Sequence, residues 1–334
     1  MAVSKIDILD GFTQRLQQML DSGNIPPWQK PWTPQFGPEG SRAHNPVTGR
    51  AYSGLNRLDL TLSAALAGYE DPRWVGYRQA AQAGWQVKRG EKASIIHLPV
   101  EIIMNKKENA DLAANGDGEN ERTKRLVFKR VPVFNAQQID GIPPLAKVRS
   151  EDIQPKSQEL ADLAQRLGVK VVEVAGSGRA YYSPARDFIH LPERNSFHDQ
   201  HGYDSTLAHE LTHASGHASR LARDLSGAFG SPPYATEEIT AEVGSYLLCQ
   251  ELGVPYAGGN PDMTEEQHAA YAASWAQVLK TQPEKIGRAI DAGVKASLYL
   301  GRELSLALTP EAVREVVINP SPARALDVGA GLGF

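Results

Sequence analysis

Apolar residues recur at every third or fourth position from 6 to 20 (IDILDGFTQRLQQML), the spacing of one helix face, and Gly23 and Asn24 close that run. The next stretch, IPPWQKPW, is too rich in proline to be regular, and AHNPVTGRAYSG is turn chemistry throughout. LNRLDLTLSAALAG predicts a second helix, stopped by Gly68, and WVGYRQAAQAG a third, short one. The period then changes. ASIIHLPVEII and RLVFKRVPVFN are β-branched runs that predict two strands, and the polar NKKENADLAANGDGENERT between them predicts a flexible excursion at a hairpin tip.

AQQIDGIPPLAKVRSEDIQP, with Pro143 and Pro144 inside it, reads as a linker. Beyond it the pattern predicts a helix at 157–167, a strand at 169–174, and two short strand segments in AYYSPARDFIHLP around a Pro-Ala-Arg turn. Helices follow at about 204–216, 234–252, 264–279, 284–306 and 309–318, and the Pro- and Gly-rich tail is expected to be disordered. The fold class is therefore α+β. It divides into a small domain at 1–140, a linker at 141–155, a mostly helical domain with a short sheet at 156–318, and a flexible tail at 319–334.

Composition narrows the classes. With 334 residues, 41% hydrophobic and 22% charged, the chain has room for two globular domains. No run of 18 apolar residues is present, so no membrane partner is expected, and the single cysteine, Cys249, has no internal disulfide partner. The start lacks the apolar stretch of a secretory signal, which sets the expectation of a cytoplasmic protein. Residues 1–135 hold 18 Lys plus Arg against 14 Asp plus Glu, while the remainder holds 17 against 25. Four of the five tryptophans (Trp28, Trp32, Trp74, Trp85) also fall in that mildly basic part, which permits a polyanionic partner without demanding one.

One stretch carries specific chemistry. LAHELTHASGH places His209, Glu210 and His213 in the order H-E-x-x-H. Residues four apart share a helix face, so both imidazoles can converge on one Zn2+ while Glu210 takes a proton from a water beside it. A hydrolytic zinc site needs a third protein ligand. Position 219 is serine, and His217 lies about 6 Å further along a continued helix than His213, so it serves only if Gly216 ends the helix. The other solution is a glutamate from PPYATEEITAEVGSYLLCQELG, a helix starting near Pro233 with Thr236 as a possible cap. Glu238 and Glu242 share a face beside Ile239, Val243 and Leu247, and a carboxylate entering an apolar core calls for a partner. Glu238 is expected as the ligand, Glu242 as the group hydrogen-bonded to a ligand histidine, and Glu237 as solvated. Two imidazoles and a carboxylate favour zinc and also accept Mn2+ or Co2+.

The pairing of H-E-L-T-H with E-x-x-x-E resembles the gluzincin metallopeptidases. That likeness implies an edge strand above the metal that holds substrate backbone, in AYYSPARDFIHLP, where Tyr182 and His190 are candidates to face the cleft and a core hairpin is the alternative for each. Tyr203 and His217 join these two as candidates for stabilising a developing oxyanion. Together, NPVTGRAYSGLN, DPRWVGYRQAAQAGWQVKRGEKAS, VFNAQQIDGIP, TLAHELTHASGHASRLARDL and EEITAEVGSYLL resemble the ArdC family of antirestriction proteins over about residues 5–300. The resemblance implies an N-terminal domain that binds single-stranded DNA, a C-terminal zincin-like metallopeptidase domain, and a bacterial setting in which restriction of incoming plasmid DNA is blocked during conjugation. The insertion near 104–123 and the tail depart from the family pattern.

Single-stranded DNA is held by cationic grooves and by bases stacked on aromatic faces. The family likeness thus points to Arg50, Tyr52, Asn56 and Arg57 beside the glycine turn, to Trp85, Lys88, Arg89 and Lys92 in WQVKRGEK, and to Lys124, Arg125, Lys129 and Arg130 in KRLVFKR. Trp28, Trp32 and Trp74 are expected in the core. The leading expectation is a single-stranded-DNA-binding protein with a zinc peptidase centre and an unidentified protein substrate. A DNA protector with a structural or vestigial metal site, and a regulatory peptidase with a protein-reading N-terminal domain, are the alternatives.

Overall fold

The computed structural model describes residues 2–29, 35–36, 42–104, 123–227, 231–257 and 282–304. Trp32, the excursion at 105–122, the predicted helices at 264–279 and 309–318, and the tail lie outside the described residues.

A capping box opens α1 (Lys5–Asp21): the Ser4 hydroxyl takes the Asp7 amide, and the Asp7 carboxylate takes the Ser4 amide. After a short 3-10 turn at Pro27–Gln29, α2 (Gly54–Ala67) runs to Gly68, whose left-handed conformation closes it as predicted. The predicted third helix is split. Trp74 and Val75 form a strand, and only Tyr77–Gln82 is helical (α3).

The long hairpin of β4 (Ser94–Met104) and β5 (Thr123–Asn135) pairs from Ser94↔Val133 to Met104↔Thr123. β1 (Ala2–Val3) and β2 (Trp74–Val75) also pair with β5, and β3 (Gln86–Val87) pairs with β6 (Ile139–Asp140). The second half opens with α4 (Ser157–Arg166). A three-stranded sheet follows, in which β9 (Phe188–Pro192) lies between a parallel β7 (Lys170–Val174) and an antiparallel edge strand β8 (Tyr181–Ser183). Next come α5 (Gln200–Ala214), α6 (Pro232–Leu252) and α7 (Pro283–Glu303). The cap of α6 is Ser231, whose hydroxyl takes the Tyr234 amide, with proline at the first turn; the expected Thr236 lies a turn inside the helix.

The predicted boundary at 141–155 does not separate two cores. Phe12, Leu16 and Met19 of α1, Trp28, and Leu58 and Leu62 of α2 are buried in one cluster with Leu207 and Leu211 of α5, Val243 of α6 and Ile290 of α7. The other side of α2 sends Leu60 into a second cluster with Trp74, Ile96 and Val133 under the hairpin. A third, small cluster joins Val75, Ala80, Val87 and Ile139, with Trp85 packed against it. Trp28 and Trp74 are core residues as expected.

Two glycines set the helix spacing around α6. A Cβ on Gly244 would lie 2.5 Å from Thr212 Cγ2 of α5, and one on Gly293 of α7 would lie 2.7 Å from the Thr240 carbonyl. Only bare backbone lets α6 sit this close to both neighbours.

Arg57 corrects a sequence expectation. It is 2% exposed and donates 2.7 Å to Glu251 of α6 and 2.9 Å to the Tyr52 carbonyl, while Arg42 takes the other Glu251 oxygen. A guanidinium spent on a buried carboxylate is not free for phosphate. Arg57→Ala is expected to lower unfolding stability by about 3–5 kcal/mol, since it strands a buried charge. The exposed Arg50→Ala should change it by about 0.5 kcal/mol or less. Denaturant unfolding of the two variants beside the wild type checks this.

Candidate metal centre

Nearly every residue of α5 from Tyr203 to Ala214 is buried, and His209 and His213 are the two that open toward α6. The helix ends there: Ser215 caps it, and Gly216 and His217 lie beyond. Glu238 of α6 meets the pair. The two Nε2 atoms are 3.1 Å apart, and the Glu238 carboxylate lies 3.5 Å from each. Among the described residues this is the one cluster of three ligand-bearing side chains with a metal's spacing.

The dimensions fit a cation. Ligand atoms about 2.05 Å from a tetrahedral zinc stand about 3.3 Å from each other. The separations of 3.1 and 3.5 Å lie on either side of that value, the 3.5 Å contacts running to the two different oxygens of Glu238, so the group has the size to hold one divalent ion. The electrostatics agree. Burial opposes ionisation of Glu238, but His213, His209 and the Tyr234 hydroxyl hold its pKa down at about 2. Burial also opposes the imidazolium of His213, yet Glu238, Glu237 and Glu210 raise its pKa to about 9. Three acidic groups around two imidazoles make a site that favours positive charge.

Glu210, one residue on from His209, is buried near the backbone of Tyr182 in the edge strand. Burial raises its pKa, with His209 and His213 pulling the other way. Its Oε2 is a buried atom without a hydrogen-bond partner, as is His209 Nδ1.

Other expected residues fall elsewhere. Glu242 is buried one turn beyond Glu238 and takes the Gln29 amide at 3.4 Å. His209 Nδ1 has no partner among the described residues, and His213 Nδ1 is met at 3.1 Å by Glu237, the residue expected in solvent. Four residues along α6 is about 6 Å, which carries Glu242 past the crossing point with α5. Glu237 is instead enclosed by Arg223, whose Nη2 and Nε donate at 2.7 and 3.0 Å. His217 is not in the cluster; its Nδ1 bonds the Ser219 hydroxyl at 2.8 Å.

Strand parity places the two sheet residues. Tyr182 is opposite Ile189, which is fully buried, so it turns toward the core face, where its hydroxyl bonds Asp187 and Arg220. His190 is opposite Tyr181 on the other face, stacked on that ring and bonded to Ser177, turned away from α5. Tyr203 is committed to Glu173 and lies under Arg194. Tyr234, one turn before Glu238 and bonded to it, was missed; the i, i+4 spacing alone pointed to it.

The expected nucleic-acid residues divide. Tyr52 is packed against the second cluster with its hydroxyl on the Trp74 carbonyl, and Asn56 is bonded to both backbone groups of His97. With Arg57 these three are structural. Trp85 is half-buried. Arg50, Lys88, Arg89, Lys92, Lys129 and Arg130 are exposed, Lys88 with its ammonium on the Gln137 carbonyl. The side chains of Lys124 and Arg125 lie outside the described residues.

Comparison with known proteins agrees with this geometry. Residues 6–134 match the family described as the N-terminal domain of anti-restriction factor ArdC, and residues 158–292 match a zincin-like metallopeptidase family. A DNA primase TraC of Escherichia coli is 39% identical over 301 residues, 86% of this chain; the chain spans only 26% of that protein. The protein y4eC of Sinorhizobium fredii is 33% identical over 84% of this chain and 87% of its own length. The crystal structure of the antirestriction ArdC protein from plasmid R388, metal-free, superposes with a TM-score of 0.66 at 33% identity, covering 90% of this chain and 98% of that one. Its Mn(II)-bound form gives a TM-score of 0.61 at 32% identity, covering 89% and 98%.

Glu238→Ala is expected to abolish tight binding of a divalent ion, and His217→Ala to leave affinity and stoichiometry unchanged. Titration of both variants with Zn2+ and Mn2+ against a competing chelator checks this. Loss of binding in His217→Ala would move the third ligand beyond the helix end.

Proposed function

The chain belongs to the ArdC antirestriction family, and on that premise we propose that it is a divalent-metal peptidase that also binds single-stranded DNA and shields incoming plasmid DNA from restriction during conjugation in the bacterial cytoplasm. The observation that carries the peptidase reading is the meeting of His209, His213 and Glu238 beside a carboxylate with a spare buried oxygen. His209, His213 and Glu238 would hold the ion, zinc by ligand type, and the ion would supply Lewis-acid polarisation of a peptide carbonyl.

The chain's own residues supply the rest. Glu210 is the general base. Burial raises its pKa toward the range where a carboxylate abstracts a proton efficiently, and its Oε2, buried and without a hydrogen-bond partner among the described residues, is left to take the proton from water. Tyr234 fixes Glu238 by its hydroxyl bond. β8 is the edge of its sheet, so it can add an extended peptide as a further strand beside α5. The substrate strand is then held through the backbone of β8, with no part for the side chains of Tyr182 or His190.

The DNA-binding reading is supported by the family and by the exposed cations Arg50, Lys88, Arg89, Lys92, Lys129 and Arg130. Tyr52, Asn56 and Arg57 drop out of it.

Glu210→Gln is expected to keep one ion per chain and to lose metal-dependent cleavage of a peptide library. Retained cleavage removes Glu210 as the base, and no cleavage even by the metal-loaded wild type leaves a DNA-coating protein. A fluorescent single-stranded oligonucleotide is expected to bind wild type and Glu210→Gln equally, with or without chelator. Replacing Lys88, Arg89 and Lys92 together by alanine should weaken that binding and reduce its salt slope by about 0.7 for every phosphate that is no longer neutralised. An unchanged slope would place the strand elsewhere.

A further inference from the structure

The loop after α5 returns two arginines to the end of the helix it has just left. Arg220 donates to the Ala214 carbonyl at 2.7 Å and Arg223 to the Thr212 carbonyl at 2.8 Å, where cations complement the helix's negative end. Each then reaches a carboxylate on a different flank of the metal centre. Arg220 takes Asp187 at the β8–β9 turn, on the side of the edge strand. Arg223 takes Glu237 on α6 through two nitrogens, Nε at 3.0 Å and Nη2 at 2.7 Å. Its Nη1 is held by the Ser215 hydroxyl at 2.9 Å. The guanidinium lies where a side chain on Gly216 would be, since a Cβ there would stand 2.8 Å from its central carbon.

Glu237 passes the constraint on. One oxygen, Oε1, accepts from both Arg223 Nη2 and His213 Nδ1, the latter at 3.1 Å. A carboxylate gripped by a guanidinium has no proton to give, so the imidazole must donate from Nδ1. In the neutral ring that fixes the tautomer: the lone pair of His213 sits on Nε2, the atom that faces His209 and Glu238. His209 has no such support, because its Nδ1 is buried without a partner.

We infer that Arg223 and Glu237 form a positioning relay that sets the tautomer and ring orientation of His213 and thereby tightens metal binding, with His213 the anchored imidazole and His209 the adjustable one. The inference rests on the metal centre proposed above and adds residues outside the ligand set. A carboxylate behind a ligand histidine makes the ring a better donor, and losing it weakens metal binding by roughly tenfold to a hundredfold.

The test is a Zn2+ titration of the full chain against a competing chelator, for wild type, Glu237→Gln, Arg223→Gln and the double variant. Each single variant is expected to keep one ion per chain at roughly tenfold to a hundredfold weaker affinity. The double variant should lose no more than the worse single, as members of one connected relay do. In the metal-free protein, at a pH above the His213 pKa of about 9 where the ring is neutral, 15N correlation spectra of the imidazoles should show His213 protonated at Nδ1 in wild type and a mixed tautomer in Glu237→Gln. Glu237→Gln is nearly isosteric, so it still tests the relay if Arg223→Gln fails to fold. A Glu237→Gln chain with wild-type melting and wild-type affinity overturns the relay, as do losses that add in the double variant. A wild-type chain that takes up no ion overturns the metal centre and the relay with it.

Discussion

A carboxylate taken out of water needs a partner, and α6 carries four of them into the protein: Glu237, Glu238, Glu242 and Glu251. Most of the surrounding structure can be understood as the set of partners. Glu237 is met by Arg223 and His213, Glu238 by the two histidines and Tyr234, Glu242 by Gln29, and Glu251 by Arg42 and Arg57. The first two partner sets come from the second half of the chain. Gln29, Arg42 and Arg57 come from the first half. The helix that completes the metal centre is therefore also the helix on which the two halves are joined.

Gly244 and Gly293 hold α6 close against α5 and α7. With backbone against side chain on both sides, α6 has little room to slide, and the point where Glu238 meets α5 is set by packing as much as by charge. A metal site assembled from two helices needs such a fixed crossing, because an error of an ångström in their separation would pull one ligand out of reach. The paired arginines after α5 add a second set of fixings, one to each flank.

How much of this was legible depends on how local each signal is. His209, Glu210 and His213 were readable because four residues of one helix determine their relation. The long helices and the β4–β5 hairpin were readable because their periods run for ten residues or more. Arg57 was not: beside a glycine-rich turn it looks exposed, and its partner Glu251 lies 194 positions away. Glu237 and Glu242 were exchanged for a related reason. Both sit on the same helix as Glu238, and only the place where α5 crosses decides which of them meets a histidine. His190 turned on the register of a three-residue strand, where a shift of one position reverses every side chain. The proline-rich stretch at 141–155 lies between the two family matches, yet a change of local structure says nothing about which helices share a core.

The contact between α1 and α7 bears on how the protein is made. Lys5 pairs with Asp291 at 2.6 Å, and Gly287 leaves room for Leu9 and Thr13, so the first helix of the chain rests on the last described one. A ribosome releases α1 early, while α7 begins only at residue 283. Until then the apolar face of Phe12, Leu16 and Met19 lacks one of its walls. The core thus closes only after α7 has emerged, and α5 and α6, emerging in between, must wait for both neighbours. The nascent chain spends that interval with the apolar face of α1 still open, and a chain cut short before α7 is left without a closed core.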